Sequence, residues 1–267
     1  MKRTLPKSDD IWDAPVFSET DPRDHLVREG ERVDDLQRNG CVILQDRTKF
    51  CFGMDAVLLS GFADVREGEH VLDLCSGNGI VAILTAAKTK AARVDALELQ
   101  EDIADMAARS VLLNHMEDRV HVKCGDLKEA AGVYGRAVFD AVICNPPYMN
   151  SGHGLTNPSS PRALARHEIA CTFRDVAEAA AALLKVGGRL YLVHRPHRLI
   201  EILGTLKENG LEPKRMKFVH PFREAEANMV LIEAVHGGGA WLKAEPPIIV
   251  YEKPGVYTEE IREIYGY

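Results

Sequence analysis

The chain predicts an α/β fold: a mostly parallel, doubly wound seven-stranded sheet, helices on both faces, and an antiparallel hairpin at its C-terminal edge. Three observations carry this expectation. From residue 70 onward, short apolar runs alternate with longer amphipathic stretches. A glycine turn, Ser76-Gly77-Asn78-Gly79, separates the first run from the helix that follows. Two late apolar runs, 214–219 and 229–234, have no helical stretch between them, which suits an edge hairpin.

The elements follow in order. Residues 1–28 are polar and acidic, with little periodicity, and read as a flexible or loosely docked extension; Trp12, Val16 and Phe17 are its possible anchors. Residues 29–267 form the second unit, the folded domain. A hairpin is expected over 36–44, turning at Arg38-Asn39-Gly40, because Asn-Gly suits a tight turn. A helix is expected over 55–62. Strands follow at 70–74, 93–99, 120–124, 137–144 and 189–193, with helices at 80–88, 101–115, 176–184 and 198–209. Gly187-Gly188 should stop the third of these helices, and Gly210 should cap the fourth. The tail pairs a strand-like Ile248-Ile249-Val250-Tyr251 with a charged terminal helix.

Bulk properties narrow the function classes. The 267 residues are 46% hydrophobic and 27% charged, enough for one α/β domain with additions. No apolar run approaches the roughly 18–20 residues of a membrane span, and the basic N-terminus lacks the apolar stretch of a secretory signal. None of the six cysteines forms a CxxC pair, so no zinc site or other metal is expected and a reducing cytoplasm is the simplest setting. The formal net charge of −7 counts mildly against a large nucleic-acid surface, although it does not exclude a local basic patch.

In a doubly wound sheet, ligands sit beyond the carboxyl ends of the strands. Asp73-Leu74-Cys75-Ser76-Gly77-Asn78-Gly79 occupies that place after the first core strand. Gly77 and Gly79 permit a sharp turn and close approach of backbone to ligand. A carboxylate at Asp73 suits a cationic cofactor and would repel a pyrophosphate. Glu98 can accept both hydroxyls of an adenosine ribose. Asp126 can accept the adenine amino group, with Leu127, and Leu99 beside Glu98, available to pack on it. Acids at strand ends are often merely solvated, but three in register after three successive strands are not expected by chance. Gly77-Asn78-Gly79-Ile80-Val81-Ala82 does not by itself exclude a nicotinamide dinucleotide. Asp73 and the downstream Asn145-Pro146-Pro147-Tyr148 disfavour it.

That last motif follows the strand-like Ala141-Val142-Ile143-Cys144. An exocyclic amine on a planar system is a poor nucleophile, because its lone pair is delocalised. It needs acceptors for its N–H groups, so that the lone pair is directed at an electrophilic methyl. The Asn145 side-chain carbonyl and the Pro146 main-chain carbonyl can be those acceptors. Pro146 and Pro147 stiffen the turn, and Tyr148 can stack on a planar substrate. The expected chemistry is methyl transfer from S-adenosyl-L-methionine to such a nitrogen. Positioning would be the main catalytic contribution.

These residues resemble the Rossmann-like class I methyltransferases that modify amino groups and carry (Asn/Asp/Ser)-Pro-Pro-(Tyr/Phe/Trp) as their fourth motif. Phe52-Gly53-Met54-Asp55 resembles the segment that closes over the cofactor in bacterial RNA methyltransferases, which implies cofactor contacts for Phe52 and Asp55; Cys75, in the turn after the first core strand, is a further cofactor-contact candidate. Arg166-His167-Glu168, Val193-His194-Arg195-Pro196, the 213–221 segment and Ile248-Ile249-Val250-Tyr251 resemble the tRNA1(Val) (adenine37-N6)-methyltransferase family, Bacillus-type branch. The likeness runs from about residue 30 to the C-terminus; the acidic start departs from it. It implies a tRNA substrate, with the adenine leaving its stack to reach the site. Arg166, His167, Arg195, Arg198, Lys214 and Arg215 are the RNA-contact candidates, in clusters that would flank one mouth; Arg162 belongs to the first cluster, and His153, in the Ser151-Gly152-His153-Gly154 loop, is a candidate for closing over substrate. Each cluster also has a plain reading as a solvated face with ordinary salt bridges. Alternatives using the same chemistry are a protein N5-glutamine methyltransferase and an rRNA guanine-N2 methyltransferase. A non-catalytic binding module is disfavoured, because binding alone needs no acceptor pair.

Overall fold

The computed structural model describes residues 24–46, 48–49, 51–147 and 171–266. A hairpin of β1 (Glu31–Asp35) and β2 (Val42–Asp46) comes first, then α1 (Met54–Phe62). The core alternates β3 (His70–Leu74), α2 (Ile80–Lys88), β4 (Arg93–Glu98), α3 (Glu101–Leu113), β5 (Val120–Cys124), α4 (Ala130–Tyr134) and β6 (Phe139–Cys144). After residue 171 come α5 (Phe173–Leu183), β7 (Leu184–His194), α6 (Leu199–Glu208), β8 (Leu211–His220) and β9 (Met229–His236). Short strands β10 (Lys243–Ala244), β11 (Ile248–Ile249), β12 (Tyr251–Lys253) and β13 (Val256–Tyr257) lead to α7 (Glu259–Tyr265).

The main sheet runs β10-β8-β9-β7-β6-β3-β4-β5, with β11 also on β8. Setting aside the two-residue β10 and β11 leaves the seven strands expected. β5, β4, β3, β6 and β7 are mutually parallel, while β9 is antiparallel to β7 and β8. Alternation along the strands splits the core between two faces. Val71, Ile143, Tyr191 and Val193 pack with Leu58, Leu59, Ile83 and Leu84. Leu72, Val142, Leu190 and Leu192 pack with Val176, Ala180, Leu183, Ile202 and Leu206. Such period-two splitting is what a sheet covered on both faces requires.

Several boundaries differ from the sequence expectation for identifiable reasons. α5 starts at Phe173, before residue 176, because Thr172 and Asp175 form a reciprocal capping box. Gly187-Gly188 does not stop that helix. The helix ends at Leu183, and the glycines form an irregularity inside β7, where a Cβ on Gly188 would lie 2.9 Å from the Lys185 carbonyl oxygen. Arg198 belongs to a 3-10 turn ahead of α6. Residues 248–251 divide between β11 and β12.

The hairpin extends beyond the expected 36–44 stretch: β1 lies wholly ahead of it, and only the first three residues of β2 fall within it. They are fixed to α3 by polar ties. Val42 and Asn114 exchange hydrogen bonds of 2.8 and 2.7 Å, and the Leu44 N–H donates to Ser110 Oγ. Arg109 grips Glu31 with two bonds of 2.6 Å and also donates to the Leu26 carbonyl, so the last residues of the polar extension are docked here. Burial alone would raise the Glu31 pKa, but the Arg109 hydrogen bonds and charge outweigh it and hold it below the usual range. This tie therefore stabilises the fold above the ordinary glutamate pKa and is lost as pH falls through the depressed value. Arg109→Ala leaves Glu31 buried without its partner and should cost about 3 kcal/mol. Urea unfolding checks the cost, and limited proteolysis should show earlier cleavage within residues 24–46.

Candidate active site

β3 is the switch point of the sheet, with β4 on one side and β6 on the other. Ligands settle at such points because the connections diverge to opposite faces and leave a crevice. The turn after β3 is held open by its neighbours. The Ser76 N–H donates to the Leu97 carbonyl, and the Gly77 N–H donates to Glu98 Oε2 at 2.9 Å. Glu98 Oε1 accepts from the Gln100 backbone, so both carboxylate oxygens brace the strand ends. Each keeps further acceptor capacity for a hydroxyl.

Cys75, Gly77 and Gly79 all have positive φ, at 63°, 54° and 84°. At Gly79 a Cβ would stand 3.2 Å from that of Ala107, so glycine is needed for both φ and space. Asn78 Nδ2 donates to the Leu44 carbonyl and joins this turn to the hairpin. From β2, Gln45 Oε1 then accepts the Phe52 N–H. That bond sets the entry to α1, with Phe52 ahead of it and Asp55 in its first turn, beside the glycine turn. Sequence reasoning missed Asn78 and Gln45 as the links.

Asp73 is 1% exposed. Its Oδ2 accepts the Ala82 N–H of α2 at 3.0 Å, while Oδ1 is buried without a hydrogen-bond partner among the described residues. Burial, with Glu98 adding to it, pushes this carboxyl well above the usual range despite the Ala82 bond. An unsatisfied buried acceptor beside an open turn fits a ligand that brings a cation or an N–H. The next two strands complete the row. Leu99 is 45% exposed although apolar. Asp126 Oδ1 caps a short turn through Lys128, with Leu127 buried behind it. The residues present thus fit an adenosine-bearing cation spread over the ends of β3, β4 and β5.

β6 delivers Asn145-Pro146-Pro147 on the other side of the switch point. Cys144 is in register with Leu74, so Asn145 leaves its strand level with Cys75. Pro146 is buried, and Asn145 and Pro147 are half-buried. Pro146 and Pro147 share a small cavity with Cys171, Phe173, His194 and Arg198. The His194 ring meets Phe173 edge-on and accepts the Arg195 N–H. Burial, helped by Arg198, pushes its pKa down to about 4, so the imidazole beside the prolines is neutral at physiological pH. The sequence singled out His194 within a family-like segment and Arg198 as an RNA candidate, but gave no sign that they would back the prolines. Tyr148, His153, Arg162, Arg166 and His167 lie outside the described residues.

The other RNA candidates separate. Arg195 leaves β7 at the site rim and donates to the Asn228 carbonyl. Arg198 is there too, but engaged with Glu201 and only 14% exposed. The expectation that Lys214 and Arg215 flank the mouth is corrected. Arg215 pairs in register with Glu233 in mid-strand, bonds it at 2.8 Å, and lies 4.2 Å over the Phe62 ring. Lys214 donates to the Gly239 carbonyl, one residue further from the rim. Both tie the sheet edge together. Among the described residues no group of side chains suits a metal ion, and no helix is long and apolar enough to cross a membrane.

The methyltransferase small domain family matches residues 54–209. A tRNA1(Val) (adenine(37)-N6)-methyltransferase of Aeromonas hydrophila is 30% identical over 80% of this chain and 88% of its own. One from a Flavobacteriaceae bacterium is 29% identical over 82% and 90%. Among solved structures, a predicted O-methyltransferase of Agrobacterium tumefaciens superposes with a TM-score of 0.66 at 23% identity, covering 79% of this chain and 95% of its own. Geranyl diphosphate C-methyltransferase from Streptomyces coelicolor, solved with S-adenosyl-L-homocysteine, gives 0.52 at 15% identity over 68% and 80%. At these identities the structures speak to the fold alone.

Proposed function

Since the chain belongs to the methyltransferase small domain family, and with its curated relatives to the tRNA1(Val) (adenine(37)-N6)-methyltransferases, we propose that it methylates N6 of adenine 37 in tRNA1(Val). It is an S-adenosyl-L-methionine-dependent N-methyltransferase acting on tRNA adenine. The observation that carries the reading is the placement of Asn145-Pro146-Pro147 at the end of β6, directly across the switch point from the glycine turn after β3. The finer placing in the Bacillus-type branch is supported by the C-terminal Ile248-Ile249-Val250-Tyr251, and a tRNA substrate makes the cytoplasm the proposed setting.

The bound cofactor supplies a methyl group on a positively charged sulfur, which needs no further activation. Asp73 faces its cationic end. Glu98 takes the ribose hydroxyls, and Asp126 the adenine amino group, with Leu99 and Leu127 against the ring. Phe52, Asp55 and Cys75 line the remaining sides. Asn145 Oδ1 and the Pro146 carbonyl accept the two N–H bonds of the target amine and aim its lone pair along the line of displacement. The two fixed φ angles hold this geometry before substrate arrives. Tyr148 stacks on the adenine. The methylated nitrogen then sheds a proton to water, because an N-alkylated anilinium-like cation is a strong acid. Arg166, His167, Arg195 and Arg198 are the proposed contacts to the RNA backbone.

Incubation with labelled cofactor and total tRNA, total rRNA or a release factor tests the reading. N6-methyladenosine at position 37 of tRNA1(Val), located by nuclease digestion and mass spectrometry, is expected. Label on protein alone, or on guanine N2 of rRNA, would overturn it in favour of the corresponding alternative.

A further inference from the structure

Aromatic rings line up along the outer edge of the sheet. The Phe222 and Tyr251 centroids are 5.5 Å apart with planes tilted by 34°. Tyr251 and Tyr257 stack at 5.2 Å and 18°, and Tyr257 and Tyr265 at 5.7 Å and 14°. The backbone enforces the row. The Val250 and Tyr251 N–H groups donate to the His220 and Pro221 carbonyls, setting Tyr251 beside the chain that leaves β8. Pairing of β12 with β13 places Tyr257 opposite Tyr251. The three tyrosines are half-buried against the core that also holds Phe52 and Met54, which accounts for them as packing. Packing does not account for the terminal ring. Phe222 is 36% exposed, between Pro221 and a run of charged residues.

Its position gives the exposure a use. β8 runs parallel to β6 and β7, because both β7 and β8 are antiparallel to β9. Its end therefore lies on the same rim as Asn145. Three strand spacings, about 14 Å, separate β8 from β6, and the register sets Cys144 level with Met216, so Phe222 also lies beyond Asn145 along the strand direction. A looped-out RNA strand whose adenine is held at Asn145 passes this distance within a few nucleotides. The flanking charges are mixed: Arg223 stands next to Glu224, and Glu226 follows. Such a surface gains little from neutralising phosphates but can take a flat apolar base, since every base has a π-face.

We propose that Phe222, the exposed end of the Tyr251–Tyr257–Tyr265 stack, is a nucleobase subsite that receives an unpaired base of the substrate RNA near the target adenine. This rests on the tRNA reading above. The subsite fixes where the anticodon loop lies, so it acts on RNA binding and not on the methyl transfer step.

The test compares wild type, Phe222→Leu, Phe222→Ala and Phe222→Trp on the anticodon stem-loop of tRNA1(Val), carrying 2-aminopurine at one loop position at a time outside position 37. Phe222→Leu and Phe222→Ala should raise the KM for RNA about tenfold or more, with kcat and cofactor affinity near wild type. Phe222→Trp should restore it. The loss should persist at raised salt, because stacking releases few counterions. At one loop position, 2-aminopurine emission should be quenched by wild type and Phe222→Trp but not by Phe222→Leu. Wild-type KM and quenching in Phe222→Leu would overturn the proposal. So would equal impairment of Phe222→Trp and Phe222→Leu, which is the signature of packing. A wild-type protein that methylates no RNA overturns the function reading. The quenching is read on binding alone and decides the subsite separately.

Discussion

Replacing Asn145 by alanine should lower methyl transfer at least about 100-fold, the scale of loss when a reacting group is no longer held in line. Cofactor affinity should stay near wild type, because the braces of the glycine turn come from Leu97, Glu98 and Leu44 and not from Asn145. Asn145 leaves β6 level with Cys75, on the far side of the switch point from Glu98. Its proposed task is to accept an N–H of the target amine. Asn145→Asp keeps acceptor oxygens of the same reach and should retain more activity than Asn145→Leu, which keeps volume and removes the acceptor. Single-turnover rates at saturating cofactor give the comparison. Equal rates for Asn145→Asp and Asn145→Leu would show that the side chain fills space and accepts nothing.

Asp73→Asn should weaken S-adenosyl-L-methionine binding by roughly 10- to 100-fold, the worth of about 1.5–3 kcal/mol for a hydrogen bond to a charged group. The physical basis is the buried Oδ1 that lacks a hydrogen-bond partner among the described residues and a carboxyl that burial pushes well above its ordinary pKa. The sign of the pH effect follows. In the ligand-free protein burial favours the protonated acid more than it is favoured in an exposed aspartate. Its contribution to stability is complete below the unfolded-state pKa and is lost as pH rises through the raised folded value. A cation opposite the carboxylate pulls that pKa back down, so binding releases a proton and affinity rises with pH across the same window. Calorimetry in two buffers of different ionisation heat should detect the released proton in wild type and not in Asp73→Asn. Identical buffer dependence in both proteins would remove Asp73 from the cationic end of the cofactor.

Much of the fold was legible because the strands facing both layers are near-continuous apolar runs. Val71-Leu72, Val142-Ile143 and Tyr191-Leu192 each send one side chain to each face, so no choice of register was needed to place them. The candidate site was legible where chemistry is local in sequence. Asp73 and Glu98 close their strands, Gly77, Gly79, Asp126 and Asn145 follow strand ends, and the sheet brings those ends together. Long-range ties were not legible. Asn78 reaching the Leu44 carbonyl and Arg109 reaching Glu31 depend on how the hairpin lies on α3, which no local pattern encodes. Arg215 misled for the complementary reason. A run of basic residues looks the same whether it faces RNA or, as here, pairs with Glu233 and covers Phe62. Gly187-Gly188 read as a helix stop because glycine signals a break without saying whether the chain leaves a helix or bulges within a strand.

The central claim is that a proline-stiffened acceptor pair presents a weakly nucleophilic amine to the cofactor. A crystal structure of the protein with S-adenosyl-L-homocysteine and an anticodon stem-loop tests it most directly. The adenine N6 is expected about 3 Å from both Asn145 Oδ1 and the Pro146 carbonyl oxygen, with the sulfur facing that nitrogen from the side of the glycine turn. A sulfur directed away from Asn145, or an adenine bound with N6 out of reach of both acceptors, would contradict it.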